Sequence, residues 1–426
     1  MLRDHYKEEM KDMGPSDMEL NRLMTMLVGG STERRSPFRW VKRRGAVLLA
    51  ACALLVVTAL AAGSAIWPIL QSELGPFFPY LSQPEEVAED QGLRMTLEGS
   101  LSDGLQTKLY VSVTDLTGNR LDERTRTDIR VDGTWLGNII GSSIKRLPNG
   151  YDPESKTVLY EVTYSGLDFT RPIAIEATSF QPQCYNFNGV YPDLTGLTDQ
   201  VLPSEIGPEG QVILAKGTQP QTFPELPGLS LTMGVASDGI FHVRWWLEEG
   251  YAGRSLLAMP TSQASGENYQ SEYDVHSDLT DGGDISYPAL PANLVADIKS
   301  LELYGSYRGP APAIEGEWTL ENIQLEQVET KVIRDCGTYG VFVIDSIQIS
   351  PLGVSVIYRN TPGDAGVFTW QHECTVHLAD GTDAIPGAPN APWSADKTNY
   401  AFWSFENPVE LDQVSALSLF GHKFTF

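Results

Sequence analysis

The 426-residue chain has no GxSxG elbow, no Gly-rich phosphate loop and no CxxC pair. These absences remove the local signatures of elbow hydrolases, P-loop enzymes and dithiol redox proteins. No catalytic residue and no cofactor is expected, and the chain reads as not an enzyme. Cysteine is scarce: of four, Cys52 falls in an apolar run and counts as a small hydrophobe. Cys184, Cys336 and Cys374 make an odd number, which excludes a complete disulfide framework unless one thiol stays free or pairs between chains. A Cys336–Cys374 bridge stays open, because spacing alone does not show proximity. Basic residues are scarce too, and unevenly placed. Net charge is −25; residues 1–44 hold ten Lys/Arg against seven Asp/Glu, leaving twenty against forty-eight for the rest. So acidic a surface repels nucleic acid and anionic lipid, and the large region is expected to bind no nucleic acid.

Long apolar runs are absent but for one. Gly45–Ser72 carries no charged residue, and about 20 apolar residues suffice to cross the hydrocarbon core as a helix. Arg34, Arg35, Arg39, Lys42, Arg43 and Arg44 precede it, whereas Glu73, Glu85, Glu86, Glu89 and Asp90 follow before the first basic residue, Arg94. The positive-inside rule then predicts a single-pass protein of the cell membrane, with the N-terminus cytoplasmic and the C-terminus extracellular. Trp40 and Trp67 fall near the two interfaces, and Pro68 and Pro76 stop the helix. The transmembrane helix is placed at 45–70. A cleaved signal peptide, cut near Ala62-Gly63-Ser64, is the competing reading; a start of more than forty residues fits it poorly.

Residues 1–44 form the expected cytoplasmic helical segment. Tyr6, Met10 and Met13 recur at i, i+4 and i+7, Gly14-Pro15 breaks the pattern, and Ser16 and Glu19 have capping-box spacing. Leu20, Leu23, Met24 and Leu27 then mark one face of a second helix that Gly29-Gly30 ends. Two helices this short cannot bury that stripe between themselves. Docking in a partner's groove is the natural outcome, with Tyr6, Met10, Leu20, Leu23, Met24 and Leu27 as the partner-binding residues. A helix lying on the membrane surface, or a disordered tail with chance periodicity, are the plainer alternatives; the acidic polar face suits an anionic leaflet poorly.

From Gly92 onward the pattern is strand-like, and it repeats. Met95–Asp115, Leu229–Glu249 and Ile344–Asn360 each read as strand, Gly-containing turn and second strand. Each has a closing element: Arg171–Phe180, Ile298–Tyr307 and Val414–Phe424. The expected fold class is mainly β, with tandem immunoglobulin-like β-sandwich modules outside at 90–185, 225–330 and 333–426. Residues 202–228 serve as linker, and Gly316–Val332 as a strand leading into the last module.

Candidate chemistry in this region is thin. His372 and His377 are five apart in a strand-like run, whereas the zincin pattern needs four on a helix, so no metal site is expected. Asp274, Asp278, Asp281 and Asp284 share a Gly-containing loop without EF-hand spacing, and a solvated turn outweighs calcium. Trp245, Trp246, Trp318, Trp370, Trp393 and Trp403 are weighed as packing residues ahead of a carbohydrate platform.

The start YKEEMKDMGPSDMELNRLM, the basic-flanked span and the outer opening QGLRMTLEGSLSDGLQTKLYVSVTDLTGNRLDE resemble the anti-sigma-factor-like membrane proteins of Gram-positive bacteria, which carry an extracytoplasmic domain of unknown function. The resemblance implies signalling: inner helices that hold a cytoplasmic sigma factor and outer modules that sense an unknown extracellular ligand. Residues 1–44 contain His5 but no cysteine, so a zinc-containing inner domain is not implied. The alternative is a surface-anchored binding or adhesion protein that recognises wall polymer or protein.

Overall fold

The computed structural model describes residues 66–84, 86–132, 143–165, 169–208, 210–269, 282–361, 373–387 and 399–426. By contacts the chain divides into Met1–Ala59 and Leu60–Phe426, and every described residue belongs to the second unit. The inner helices, with Tyr6, Met10, Leu20, Leu23, Met24 and Leu27, lie outside the described residues. Among the described residues no helix is long and apolar enough to cross a membrane.

This unit is mainly β, and each repeated motif forms an antiparallel hairpin. Leu93–Ser102 pairs with Gln106–Asp115, Leu226–Val235 with Ile240–Leu247, and Phe342–Ser350 with Gly353–Asn360. Each hairpin occupies the middle of a sheet with one recurring order. A preceding strand flanks it on one side (Glu86–Asp90, Gln221–Phe223 or Lys331–Tyr339). A later strand flanks the other (Thr157–Ser165, Gly282–Pro291 or Asn399–Ser404). The closing strands Ile173–Gln181, Ile298–Arg308 and Val414–Leu419 lie in three further sheets. Alternation turns these pairs of sheets into layers. Leu93, Met95 and Leu97 meet Ile173 and Ile175 in one core, and equivalent residues build a second and a third.

In the third module the closing strand Val414–Leu419 pairs with the next one in the chain, His422–Thr425. The first two modules exchange theirs. After Ile173–Gln181 the chain enters the second module as Cys184–Val190 and pairs with Ile298–Arg308. After Ile298–Arg308 it returns as Ile314–Ile323 and pairs with Ile173–Gln181. Each exchanged strand fills the other module's core: Tyr185 and Phe187 enter the second, and Ile314, Trp318, Leu320 and Ile323 the first. Strand 314–323 overlaps Gly316–Val332, expected as a strand leading into the last module, and pairs instead with Ile173–Gln181 of the first. The crossing segments are tied together. The Gln183 carbonyl accepts from Gly309 N (2.8 Å), its side-chain oxygen from Ala311 N (3.2 Å), and Gln181 Nε2 donates to Ala311 O (3.0 Å).

Residues 66–74 are helical and run into a 3-10 turn over Gly75–Tyr80. Ile66, Leu70 and Leu74 recur one turn apart on one helix face. They bury against Leu101, Tyr110, Leu147 and Leu159, on the face of the first hairpin sheet turned away from its core. The end of the expected 45–70 segment therefore packs on protein. Phe77 reaches both this cluster and the third core. The first and third modules also meet at buried Asp103, whose Oδ2 accepts from Ser350 Oγ (2.9 Å) and whose carbonyl accepts from Gln348 Nε2 (2.8 Å).

Trp318 is the largest side chain on the returning strand. It is fully buried, lies edge-on to Phe180 (4.7 Å between centroids) and donates from Nε1 to Leu93 O (3.1 Å). Trp318→Ala is expected to cost about 3–5 kcal/mol in denaturant unfolding. Trp318→Phe, which keeps a ring and loses the hydrogen bond, should cost clearly less. Equal losses would show that ring packing is not what the strand contributes.

Candidate functional site

The exchange leaves a cleft of about 1530 Å³ where the two modules face each other. One wall comes from residues 123–130 and the paired strands Ser143–Asp152 and Thr157–Ser165; the other comes from the exchanged strand 184–190 with 252–253 and 306–308. Residues 181, 313 and 315 at the crossing also line it. Six Lys/Arg line this cleft against four Asp/Glu. Since the chain after residue 44 has only twenty basic residues against forty-eight acidic, the cleft inverts the sign of its surroundings.

The six cations have different duties. Arg124 clasps the second module: its guanidinium lies 4.5 Å from the Tyr185 ring centroid, and Nη1 donates to Glu225 O (3.1 Å). Tyr185 in turn stacks on Tyr307 (4.7 Å, 12°). Burial, with Tyr185 and Tyr251 beside it, pushes the Tyr307 phenol up, so it stays neutral. Arg130 pairs with Asp128 (2.8 Å). Lys145 pairs with Glu161 Oε1 (2.8 Å). Burial alone would raise the Glu161 carboxyl, but Lys108, Lys145 and the Tyr110 hydroxyl hold it below its ordinary value. Arg126, Arg146 and Arg308 are exposed and have no carboxylate partner among the described residues.

The cleft is joined to the helix at 66–74 by strand alternation. On Thr157–Ser165, Tyr160 lines the cleft while its neighbour Leu159 packs under the helix. On Ser143–Asp152, Arg146 lines the cleft while Leu147 packs under the helix. A polar path runs alongside. Glu161, held by Lys145, accepts from Tyr110 OH through Oε2 (3.0 Å), and the Tyr110 ring belongs to the helix-binding cluster.

The chemistry weighed from sequence falls elsewhere. Cys374 is buried in the third core while His377 lies on the opposite face, as alternation requires; His372 lies outside the described residues. His377 Nδ1 is 2.7 Å from Asp383 Oδ1, and Nε2 is 2.6 Å from Ser418 Oγ. This is the order of a Ser-His-Asp relay. Ser418, however, sits on a strand paired on both sides. That pairing commits the backbone N–H groups an oxyanion site needs, and the trio reads as a cross-strand clasp. The Cys336–Cys374 bridge is not formed: Cys184, Cys336 and Cys374 are all thiols, and burial pushes Cys374 up to about 12. Cys374 is buried in the third core, and Cys336, half-buried against the same core, turns its Sγ to Ile333 O (3.5 Å). Trp245, Trp318 and Trp403 are buried. Of the acidic loop, Asp284 is described, and it binds His242.

No known family profile and no curated protein matches the chain. Among solved structures, "the conserved domain protein from Bacillus anthracis" aligns over 81% of this chain and 78% of its own, with 11% identity and a TM-score of 0.33. A likeness this low supports no inference about function.

His242 is 2% exposed between two carboxylates, with Nδ1 2.5 Å from Asp284 Oδ1 and Nε2 3.1 Å from Asp238 Oδ2. Burial alone would lower its pKa, but Asp284 and then Asp238 outweigh burial and raise it above the ordinary 6.5. A raised folded-state pKa stabilises fully below the unfolded value, and that contribution is lost as pH rises through the folded value. Unfolding free energy, followed by denaturant titration, should therefore fall as pH climbs above about 6.5, and His242→Gln should flatten this slope. An unchanged slope in the variant would remove His242 as its source.

Proposed function

We propose that the chain is a membrane-tethered regulator of the anti-sigma-factor type. Residues 1–44 hold a cytoplasmic partner, a sigma factor by the resemblance, through Tyr6, Met10, Leu20, Leu23, Met24 and Leu27. One helix crosses the cell membrane, and outer modules of immunoglobulin-like β-sandwich form read an envelope ligand without catalysing a reaction. The observation that carries this reading is the double use of two strands. Ser143–Asp152 and Thr157–Ser165 line the cleft with Arg146 and Tyr160, and seat the 66–74 helix with Leu147 and Leu159.

With Ile66, Leu70 and Leu74 packed on the sheet, the proposed span at 45–70 keeps residues 45–65 for the hydrocarbon core. Twenty-one residues would reach about 31 Å as a helix, against a hydrocarbon core of about 30 Å. An event in the cleft then has a short route inward. A ligand that shifts strand Ser143–Asp152 through Arg146 moves Lys145, whose side chain lies with Glu161 on the helix-side face, and leaves Glu161 with Lys108 at 3.6 Å. A buried carboxylate that loses a close cation shifts or takes a proton, and Tyr110 moves with it. The surface-anchored adhesion reading uses the same cleft but gives no role to residues 1–30.

Two measurements separate these readings in the full chain. Leu23→Asp with Leu27→Asp should abolish co-purification of the cytoplasmic partner; undiminished capture would overturn the docking assignment. Glu161→Gln should speed amide hydrogen exchange within residues 66–74 by about tenfold, the effect of losing one charged hydrogen bond. Unaltered exchange there would sever cleft from helix and favour adhesion.

A further inference from the structure

Resting on the reading of the cleft as the outer ligand site, we infer that its ligand is a short polyanion, a flexible chain bearing several phosphodiester or carboxylate groups. Three features point to that class. First, the cleft volume of about 1530 Å³ exceeds the roughly 300–1,000 Å³ of ordinary small-molecule sites, so it suits a segment of chain better than one small anion. Second, Arg126, Arg146 and Arg308 line it without carboxylate partners among the described residues, and planar guanidinium forks suit bidentate phosphate or carboxylate. Third, these three come from both sides of the crossing: Arg126 and Arg146 from the first module, Arg308 from the second. A ligand with several anionic groups can engage both modules, whereas one with a single group cannot.

The aromatic residues of the cleft argue against a neutral glycan as the main determinant. Tyr185 and Tyr307 are 9% and 5% exposed and stack on each other, with Arg124 on Tyr185. They offer no open platform for a sugar ring. Charge also limits ligand length. Screening over about 8 Å at physiological ionic strength lets anions inside the cleft respond mainly to the cleft's own cations. A stiff duplex projecting from it would run along the acidic body and be repelled.

The test uses the full chain in non-ionic detergent at low ionic strength, with calorimetry as readout. The probes are inorganic tripolyphosphate, a glycerol-phosphate trimer, trigalacturonate, orthophosphate, maltotriose and a 20-base-pair DNA duplex. Tripolyphosphate is expected to bind at least about tenfold tighter than orthophosphate, because linked groups raise effective concentration. Arg126→Ala and Arg308→Ala should each weaken it by about tenfold. Both residues are exposed, and Arg126→Lys and Arg308→Lys provide folded controls that keep charge but lose the fork. Preference for the glycerol-phosphate trimer marks the ligand as a phosphodiester chain, and preference for trigalacturonate marks it as a carboxylated one. The inference is overturned if no trianion binds, if orthophosphate binds as well as tripolyphosphate, if the Ala variants bind undiminished, or if maltotriose or duplex DNA binds as tightly. Tripolyphosphate that binds without altering hydrogen exchange at residues 66–74 would leave the ligand class standing and count against the regulator reading alone.

Discussion

The reciprocal exchange of strands between the first two modules constrains whatever is built around it. A hinge made only of linker would let two modules swing. Here each module lacks a strand that only the other's chain run can supply, and that strand carries core side chains. Removing Ile314, Trp318, Leu320 and Ile323 would open the first core; removing Tyr185 and Phe187 would open the second. At roughly 1.5–3 kcal/mol for each fully buried large side chain, separating the modules costs more than a domain of this kind has to spare. Their relative placement is thereby set before any ligand arrives. A cleft between them is preorganised, which lowers the ordering cost of binding.

Electrostatics gives that preformed space its character. An acidic exterior disfavours anions over most of the surface, and a basic recess favours them locally. The recess also explains why some of its arginines are tied down and others are not. Arg124 and Arg130 stabilise the walls through Glu225 O and Asp128, whereas Arg126, Arg146 and Arg308 have no carboxylate partner among the described residues. Elsewhere in the second module the same acid excess acts structurally. Asp238 and Asp284 close on His242, and Asp284 also accepts from Leu214 N (3.2 Å), pinning the Ser204–Ile206/Val212–Leu214 hairpin beside the sheet.

The hairpins were legible because their signal is local: alternation on both sides of a Gly turn specifies antiparallel neighbours wherever it occurs. The exchange was not, and the reason is physical. Cys184–Val190 and Ile314–Ile323 have the alternation of any strand, and both follow a Pro-containing turn (Pro182, Pro310). Nothing in that pattern says which closing strand will accept them. The cleft was half legible. Arg124, Arg126 and Arg130 crowd into seven positions of a region poor in basic residues, and that density could have marked a site. Arg146 and Arg308 are distant in sequence and join the group only through the fold. Likewise spacing leaves Cys336 and Cys374 an open pair; in the fold both pack at the third core as thiols, with Cys336 Sγ turned to Ile333 O.

For the tethered regulator proposed above, the seat of the 66–74 helix sets how strong an outer signal has to be. Ile66, Leu70 and Leu74 bury fully or nearly so, which at roughly 1.5–3 kcal/mol each holds the helix by an upper estimate of about 5–9 kcal/mol relative to water. Coupling between sites usually transmits only about 1–3 kcal/mol. A ligand in the cleft would therefore not eject this helix into water. Water is not the sole alternative for a helix that continues from an apolar span, however. Moved into hydrocarbon, the same three side chains stay buried, and their transfer term largely cancels. What remains to be shifted is the difference between packing on Leu101, Tyr110, Leu147 and Leu159 and packing on lipid, and a difference of that kind is small enough for Lys145, Glu161 and Tyr110 to bias.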